Sequence, residues 1–161
     1  EALGVVLLGV DVLDLVLLLQ FVGDQPARLL PERLHVETAA QFEKLMETHA
    51  RIETGVGEIV TPPGLEDRAT WLKGIMAGTW TEAGPELMAW RQNVLASVEK
   101  LPDETAVFSH FIAINALVSL LSNDDRVVVF KPGHASITKL DRRGGRLVVA
   151  ELGAEAATIV T

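Results

Sequence analysis

The sequence contains no cysteine among its 161 residues. A chain without cysteine has no disulfide framework, no thiol nucleophile and no zinc-thiolate site. This composition fits a reducing compartment, and we expect a cytoplasmic protein.

Basic residues are also scarce. The 14 Lys and Arg residues are outnumbered by 22 Asp and Glu residues, which gives a formal net charge of -8 at pH 7. A surface with this charge is poorly suited to neutralise the phosphates of nucleic acid or an anionic membrane, so we expect neither as a partner. A few local arginines could still bind a small anion.

The apolar N-terminal segment, residues 1–23, lacks a preceding basic region. Asp11 and Asp14 interrupt it, and neither uncharged half reaches the ~20 apolar residues that cross a bilayer. We therefore expect a buried segment here, not a membrane span or a signal peptide. Ala2 to Leu8 is typical of a short helix, and the nearly continuous Val and Leu of Asp11 to Val22 predict a strand buried on both faces. Periodicity alone also allows a helix across Asp11 to Val22.

Apolar runs alternate with helical periods along the rest of the chain, which predicts one α/β domain. The glycines and prolines of 54–65 predict a loop. Arg142 to Gly145 predicts a hairpin turn. The spacing predicts helices over 36–49, 68–78, 85–101 and 112–121, and strands over 50–52, 105–108, 127–130, 135–140 and 147–152.

One histidine, His110, follows the apolar run Thr105 to Phe108 and precedes an apolar helix. The carboxyl end of a buried strand is where α/β sheets usually bind ligands, and the free N–H groups of a helix start favour an anion. Ser109 and His110 are therefore placed to hold phosphate. The alternative is that His110 only caps or packs at the helix start.

The segment DETAVFSHFIAINALVSLL, followed by KPGHASITKLDRRGGRLVVAELG, resembles the C-terminal part of the histidine phosphatase superfamily, the phosphoglycerate mutase-like proteins. In that family an apolar strand ends in Ser-His, a helix follows, and a Pro-x-x-(Cys or Ala)-Ser-(Ile or Val)-Thr strand comes next, as at Pro132 to Thr138. Glu37-Thr38-Ala39 resembles the family's Glu-Thr-Ala. The similarity runs from about Pro31 to Leu152, while residues 1–30 match poorly. It implies a single domain over 1–161, a three-layer αβα sandwich with a mostly parallel central sheet.

The resemblance implies phosphoryl transfer or phosphomonoester hydrolysis on a small phosphorylated substrate, without a cofactor or metal. His110 matches the second histidine of the family, which binds the transferred phosphoryl group. Glu58 matches the position of the general acid that protonates the leaving oxygen, a step needed because an alkoxide is a poor leaving group. Without the resemblance, we would interpret Glu58 as an ordinary loop carboxylate with no special role.

The phosphate-binding groups that the resemblance implies are the backbone N–H of Phe111, next to His110, and an arginine. Arg33 is the imperfect match for that arginine, because it stands one residue before the family's position, and Arg28 is the reserve candidate. A bidentate arginine contact tolerates little displacement. A surface salt bridge is the alternative role for either residue.

The nucleophilic histidine of the family, in an Arg-His-Gly motif, has no counterpart in this sequence. His35, His49 and His134 do not occupy such a motif. Either the chain starts inside the family's first helix, which we prefer, or Leu17 to Asp24 takes the place of the first strand, with Phe21-Val22-Gly23 at the motif. A chain that starts inside the first helix lacks the central strand, so we expect the Leu15 to Val22 run, or a second chain, to fill a place beside Val107 and Phe108.

Three functions remain open from the sequence. The first is a histidine phosphatase-type phosphomonoesterase, and the second is a catalytically silent relative that binds an anion or serves assembly. The third is a plain α/β subunit with an apolar N-terminal interface, for which a homodimer is one form. Substrate choice would lie in variable loops and in the helical insertion at about 62–85.

Overall fold

The computed structural model describes residues 5–9, 17–20, 44, 50–133 and 136–155. Six strands lie in one sheet of order β3-β2-β4-β1-β5-β6. The strands are β1 (Val5–Gly9), β2 (Leu17–Gln20), β3 (Ala50–Ile52), β4 (Thr105–Ser109), β5 (Ile137–Arg143) and β6 (Arg146–Glu151). The helices in these residues are α1 (Arg68–Ala77), α2 (Trp80–Ala83), α3 (Pro85–Glu99) and α4 (Phe111–Leu121), and a 3-10 turn covers Thr54–Val56.

The sheet is mostly antiparallel. Only β1 and β4 pair in parallel, whereas β2 with β3, β2 with β4, β1 with β5 and β5 with β6 all pair antiparallel. The predicted three-layer αβα sandwich around a mostly parallel sheet is therefore wrong in its central feature. Residues 10–16 alone connect β1 to β2, and a parallel crossover needs a dozen or more residues, so β2 runs opposite to β1.

The apolar N-terminal segment supplies two strands of this sheet. β2 lies beside β4, with Leu17 opposite Phe108 and Leu18 opposite Val107, at the place predicted for the Leu15 to Val22 run. The predicted helix over Ala2 to Leu8 is wrong, because Val5–Gly9 forms β1 between β4 and β5. Adjacent β-branched residues at Val5 and Val6 favour a strand over a helix.

The main core forms where α3 and α4 pack on the sheet. The spacing predicted both helices. In α3 the apolar residues Leu87, Val94 and Val98 are buried as expected, and the polar residues Arg91 and Ser97 are buried with them. α4 is buried along almost its whole length, which suits a helix that is apolar on all sides. We call this core the central cluster, and its buried members are Val56, Val94, Val98, Leu101, Val107, Leu117, Leu140 and Leu147.

The segment 62–85 contains α1 and α2, and it packs on α3 and α4 around a second core. Asp67 caps α1 by accepting from the Thr70 N–H, and Thr79 and Glu82 form a capping box at α2. Pro85 stands in the first turn of α3, as predicted. We call the second core the outer cluster, and its buried members are Ile59, Trp80, Leu87, Ile112, Ala116 and Val127.

The predicted strand over Val127 to Phe130 is wrong. The Asn115 Oδ1 accepts the N–H groups of Val129 at 2.9 Å and Phe130 at 3.2 Å, and the Val127 N–H bonds to the Gly78 carbonyl at 3.1 Å. These backbone donors are satisfied by a side chain and a loop, so the segment needs no neighbouring strand.

The hairpin of β5 and β6, at one edge of the sheet, has the predicted turn. Arg143 pairs with Arg146, and Gly144 and Gly145 form the two-residue loop with φ of 58° and 77°. A positive φ at both loop residues matches the right-handed twist of the flanking strands and favours glycine.

No helix in the described ranges is both long enough and apolar enough to span a bilayer.

Replacing Gly55 by alanine should destabilise the fold by about 1–3 kcal/mol through overpacking. A Cβ at Gly55 would clash with the Ser97 Oγ and lie 2.8 Å from the Ser97 Cβ, so the 3-10 turn would be pushed away from α3. Urea unfolding measures the loss. Gly74→Ala is the matched control, because a Cβ there meets nothing within 4 Å. Gly74 lies inside α1, so its replacement by alanine should stabilise the fold by about 0.5–1 kcal/mol. Equal responses of the two variants would contradict the packing argument.

Candidate functional site

His110 lies where β4 ends and α4 begins. Every residue of β4 is buried, and His110 is the N-cap of α4 with an extended backbone, φ -91° and ψ 158°. Its carbonyl accepts the Ile114 N–H at 2.9 Å, which is the first bond of the helix. The residue is 2% exposed, so its imidazole is held inside the protein at the carboxyl end of β4.

Glu58 reaches His110 from a loop far away in sequence. The Glu58 Oε2 lies 3.8 Å from the His110 Nδ1, and the Glu58 Oε1 accepts the Ile59 N–H at 2.8 Å. The Ser109 hydroxyl donates to the Val56 carbonyl at 3.0 Å, which ties the loop before Glu58 to the end of β4. The structure thus brings together the two residues that were predicted as catalytic.

The His110–Glu58 pair lies in a largely buried environment. The side chain of His110 is 3% exposed and that of Glu58 is 17% exposed. Glu58 is the member of the pair that reaches solvent, so a ligand or a proton would arrive from its side.

The first turn of α4 adds backbone donors to this place. The first N–H groups of an α-helix have no partner inside the helix, and the helix dipole makes this end positive. Phe111, predicted to offer its N–H to phosphate, is the first residue of α4 and its side chain is half-buried against the outer cluster. The arrangement combines an imidazole, a carboxyl group and backbone donors, which is suited to bind an oxyanion and to move a proton.

The predicted arginines cannot be placed in this site. Arg33 and Arg28 lie outside the described residues, as do His35, His49 and His134. The Phe21-Val22-Gly23 position of the alternative alignment also lies outside them.

Arg68 is a cation that contacts the loop after Glu58, and no sequence pattern indicated this contact. Its Nε donates to the Thr61 Oγ1 at 2.8 Å, and Thr61 follows Glu58 by three residues in the same loop. Three residues span at most about 11 Å, so the Arg68 guanidinium lies close to the Glu58 loop. The sequence signalled only a helix start at Arg68, because nothing in the spacing joins it to Thr61.

Within the described ranges, no group of three or more His, Asp or Glu side chains is arranged to hold a metal ion.

Comparison with known proteins gives no relative for this chain. No protein-family model matches it, and no match is found among curated proteins or solved structures.

Proposed function

We propose that this protein binds a phosphomonoester at the His110–Glu58 pair and acts in phosphoryl transfer or phosphomonoester hydrolysis, as the resemblance to the histidine phosphatase superfamily implies. The observation that carries the proposal is the 3.8 Å separation of His110 Nδ1 and Glu58 Oε2 at the start of α4. The residues belong to different elements, and both were selected from sequence for complementary roles in one reaction.

In this proposal His110 and the first N–H groups of α4 hold the phosphoryl oxygens. Charge on these oxygens is stabilised by donors that are already oriented, which costs no reorganisation during the reaction. As the bond between phosphorus and the ester oxygen breaks, the leaving oxygen takes the proton of the Glu58 carboxyl group. An acceptor hydroxyl or water forms the new bond to phosphorus and passes its proton to solvent, and the Glu58 carboxylate takes up a proton from solvent, so atoms and charge balance.

A second candidate is a catalytically silent protein that binds the anion without transferring it. The absence of Arg-His-Gly from the sequence favours this candidate, because the covalent route needs that histidine. The two candidates share the anion site and differ in turnover.

Binding and turnover of small phosphate compounds test the site. We expect calorimetry to detect inorganic phosphate and vanadate, and His110→Ala to weaken both at least tenfold by removing the imidazole. His110→Gln is the second variant, since it fills more of the buried space, and circular dichroism checks that both variants fold. If neither His110 variant folds, Glu58→Gln tests the site instead.

Glu58→Gln should separate binding from chemistry. It keeps the shape of the side chain, so vanadate affinity should stay within about threefold, while hydrolysis of a chromogenic aryl phosphate should fall by roughly 10²–10⁴ as expected for loss of a general acid. Glu66→Gln, at an exposed position in the same part of the chain, is the control and should change neither. Phosphate binding with no turnover in the parent protein would select the silent candidate. No binding of phosphate or vanadate would reject both.

The cytoplasmic location expected from the cysteine-free sequence belongs to the same proposal, as does the exclusion of nucleic acid as a partner, which the net charge of -8 supports. A homodimer is compatible with it.

A further inference from the structure

The hydroxyl group of Ser109 is committed to a contact inside the protein. Ser109 is 2% exposed, and its Oγ donates to the Val56 carbonyl at 3.0 Å. A serine hydroxyl has one proton to donate, so none is left for a phosphoryl oxygen. Although Ser109 directly precedes His110, its side chain faces Val56 and offers no donor to a phosphate at His110.

The partner of Ser109 belongs to the segment that carries Glu58. We call residues 53–59 the Glu58 arm. Val56 is 1% exposed in the central cluster, and Ile59 is 2% exposed in the outer cluster. Both side chains are anchored in the core, and Glu58 lies between them in the chain. The hydrogen bond from Ser109 therefore joins the Glu58 arm, two residues before Glu58, to the end of β4.

The carboxyl group of Glu58 is fixed relative to the backbone of the Glu58 arm. Its Oε1 accepts the N–H of the next residue, Ile59, at 2.8 Å, and its Oε2 lies 3.8 Å from the His110 Nδ1. The separation of the carboxyl group from the imidazole is thus set by where the arm lies against the end of β4. Ser109 holds the arm in that place from the position next to His110.

We infer that Ser109 is a positioning residue, which holds the Glu58 carboxyl group at the distance from His110 that proton donation to the leaving oxygen needs. This inference rests on the proposed function, because the role exists only if Glu58 acts as the general acid. Proton transfer needs the donor within hydrogen-bond reach of the oxygen, and a displacement of about 1 Å can lower a rate by about 10²-fold. A buried hydrogen bond at Ser109 therefore controls the rate without touching the substrate.

Ser109→Ala should lower kcat for a chromogenic aryl phosphate by roughly 10- to 100-fold, because the Glu58 arm loses its attachment to β4. KM and vanadate affinity should stay within about threefold, because His110 and the first N–H groups of α4 are kept. Ser109→Thr retains the hydroxyl group and should keep kcat within about threefold of the parent protein. If Ser109→Ala does not fold, Ser109→Cys takes its place with the same expected fall in kcat, since a thiol fills more of the space but is a weak donor.

Thr105→Val is the matched control on the same strand. Thr105 is 1% exposed, and its hydroxyl donates to the Pro102 carbonyl at 2.6 Å. The substitution removes a hydrogen bond from a buried β4 hydroxyl to a backbone carbonyl, as Ser109→Ala does, but at the end of the strand away from His110. We expect a similar loss of stability in urea unfolding and an unchanged kcat.

A double variant shows whether Ser109 acts through Glu58. Glu58→Gln already removes the general acid, so adding Ser109→Ala to it should lower kcat no further. Two independent effects would multiply instead.

Two results would overturn the inference and leave the proposed function intact: a Ser109→Ala variant with the kcat of the parent protein, or an effect that multiplies with that of Glu58→Gln. A fall in vanadate affinity as large as the fall in kcat would show that Ser109 acts through His110 instead. An equal fall in kcat for Thr105→Val would assign the effect to general stability.

The parent protein distinguishes the remaining cases. If it binds vanadate without turnover, there is no proton donation for Ser109 to position, so the inference fails while the anion site stands. If neither phosphate nor vanadate binds, the proposed function fails and the inference fails with it.

Discussion

Trp80→Ala is expected to lower the free energy of unfolding by about 3–5 kcal/mol, a large share of the stability of a domain this size. The Trp80 side chain is fully buried in the outer cluster, and its Nε1 donates to the Ser119 Oγ at 3.0 Å. Its ring stacks on Trp90 at 6.0 Å between centroids. The substitution therefore leaves both a large cavity and a buried hydroxyl with one partner fewer.

A buried cation beside Trp80 adds to the loss of stability expected for Trp80→Ala. The Arg91 guanidinium lies 5.2 Å from the Trp80 ring centroid and donates to the same Ser119 Oγ at 3.0 Å. Burial lowers the pKa of Arg91, while the charges of Asp125 and Asp124 act to raise it. Loss of the ring would remove a cation–π contact from a charge that is already costly to bury.

Two further variants separate the contributions of the N–H group and of burial to the loss of stability in Trp80→Ala. Trp80→Phe keeps most of the ring and loses the N–H, so it should cost less than half as much as alanine. Trp71→Ala makes the same chemical change at a half-buried position of α1 and should cost clearly less than Trp80→Ala. Urea unfolding followed by circular dichroism measures all three, and equal losses at positions 71 and 80 would show that burial is not the cause.

Asn115→Leu should destabilise the protein by roughly 2–5 kcal/mol, because a buried N–H group at Phe130 and a partly buried one at Val129 lose their acceptor. The Asn115 side chain is 0% exposed, and its Oδ1 accepts from Val129 and Phe130, while its Nδ2 donates to the Phe111 carbonyl at 3.0 Å. Leucine has a similar volume, so the loss comes from the hydrogen bonds and not from a cavity.

Asn93→Leu provides the control for Asn115→Leu. Asn93 is exposed on α3, and the same substitution there should change stability by no more than about 0.5 kcal/mol. Hydrogen exchange adds a local measurement, since Asn115→Leu should remove protection at the N–H groups of residues 129 and 130 before the rest of the core. Retained protection at those two groups would contradict the assignment of Asn115 as their acceptor.

Helices were predicted better than strand directions. The sequence pattern in 68–78, 85–101 and 112–121 located α1, α3 and α4 to within two residues, because helix formation depends on residues close together in the chain. Strand pairing is not local. Nothing in Leu17–Gln20 indicates whether it runs with or against β4, so the mostly parallel sheet was a wrong expectation.

The candidate site was only partly visible in the sequence. The position of His110 between a strand and a helix was visible, and the resemblance singled out Glu58. Their 3.8 Å contact depends on how the loop after the 3-10 turn is tied to Ser109, and this is a contact between distant residues. Arg68 was missed for the same reason, because its bond to Thr61 joins a helix start to a loop.

The residue pattern was enough to indicate α/β content, a formal net charge of -8, and the position of His110 between an apolar run and an apolar helix. These features depend on composition and on periods of a few residues. Tertiary contacts were needed to reveal the mostly antiparallel sheet, the hydrogen bonds from residues 129 and 130 to Asn115, and the contact of Glu58 with His110. Each of these features depends on contacts between segments that are far apart in the chain, so no local sequence pattern predicts it.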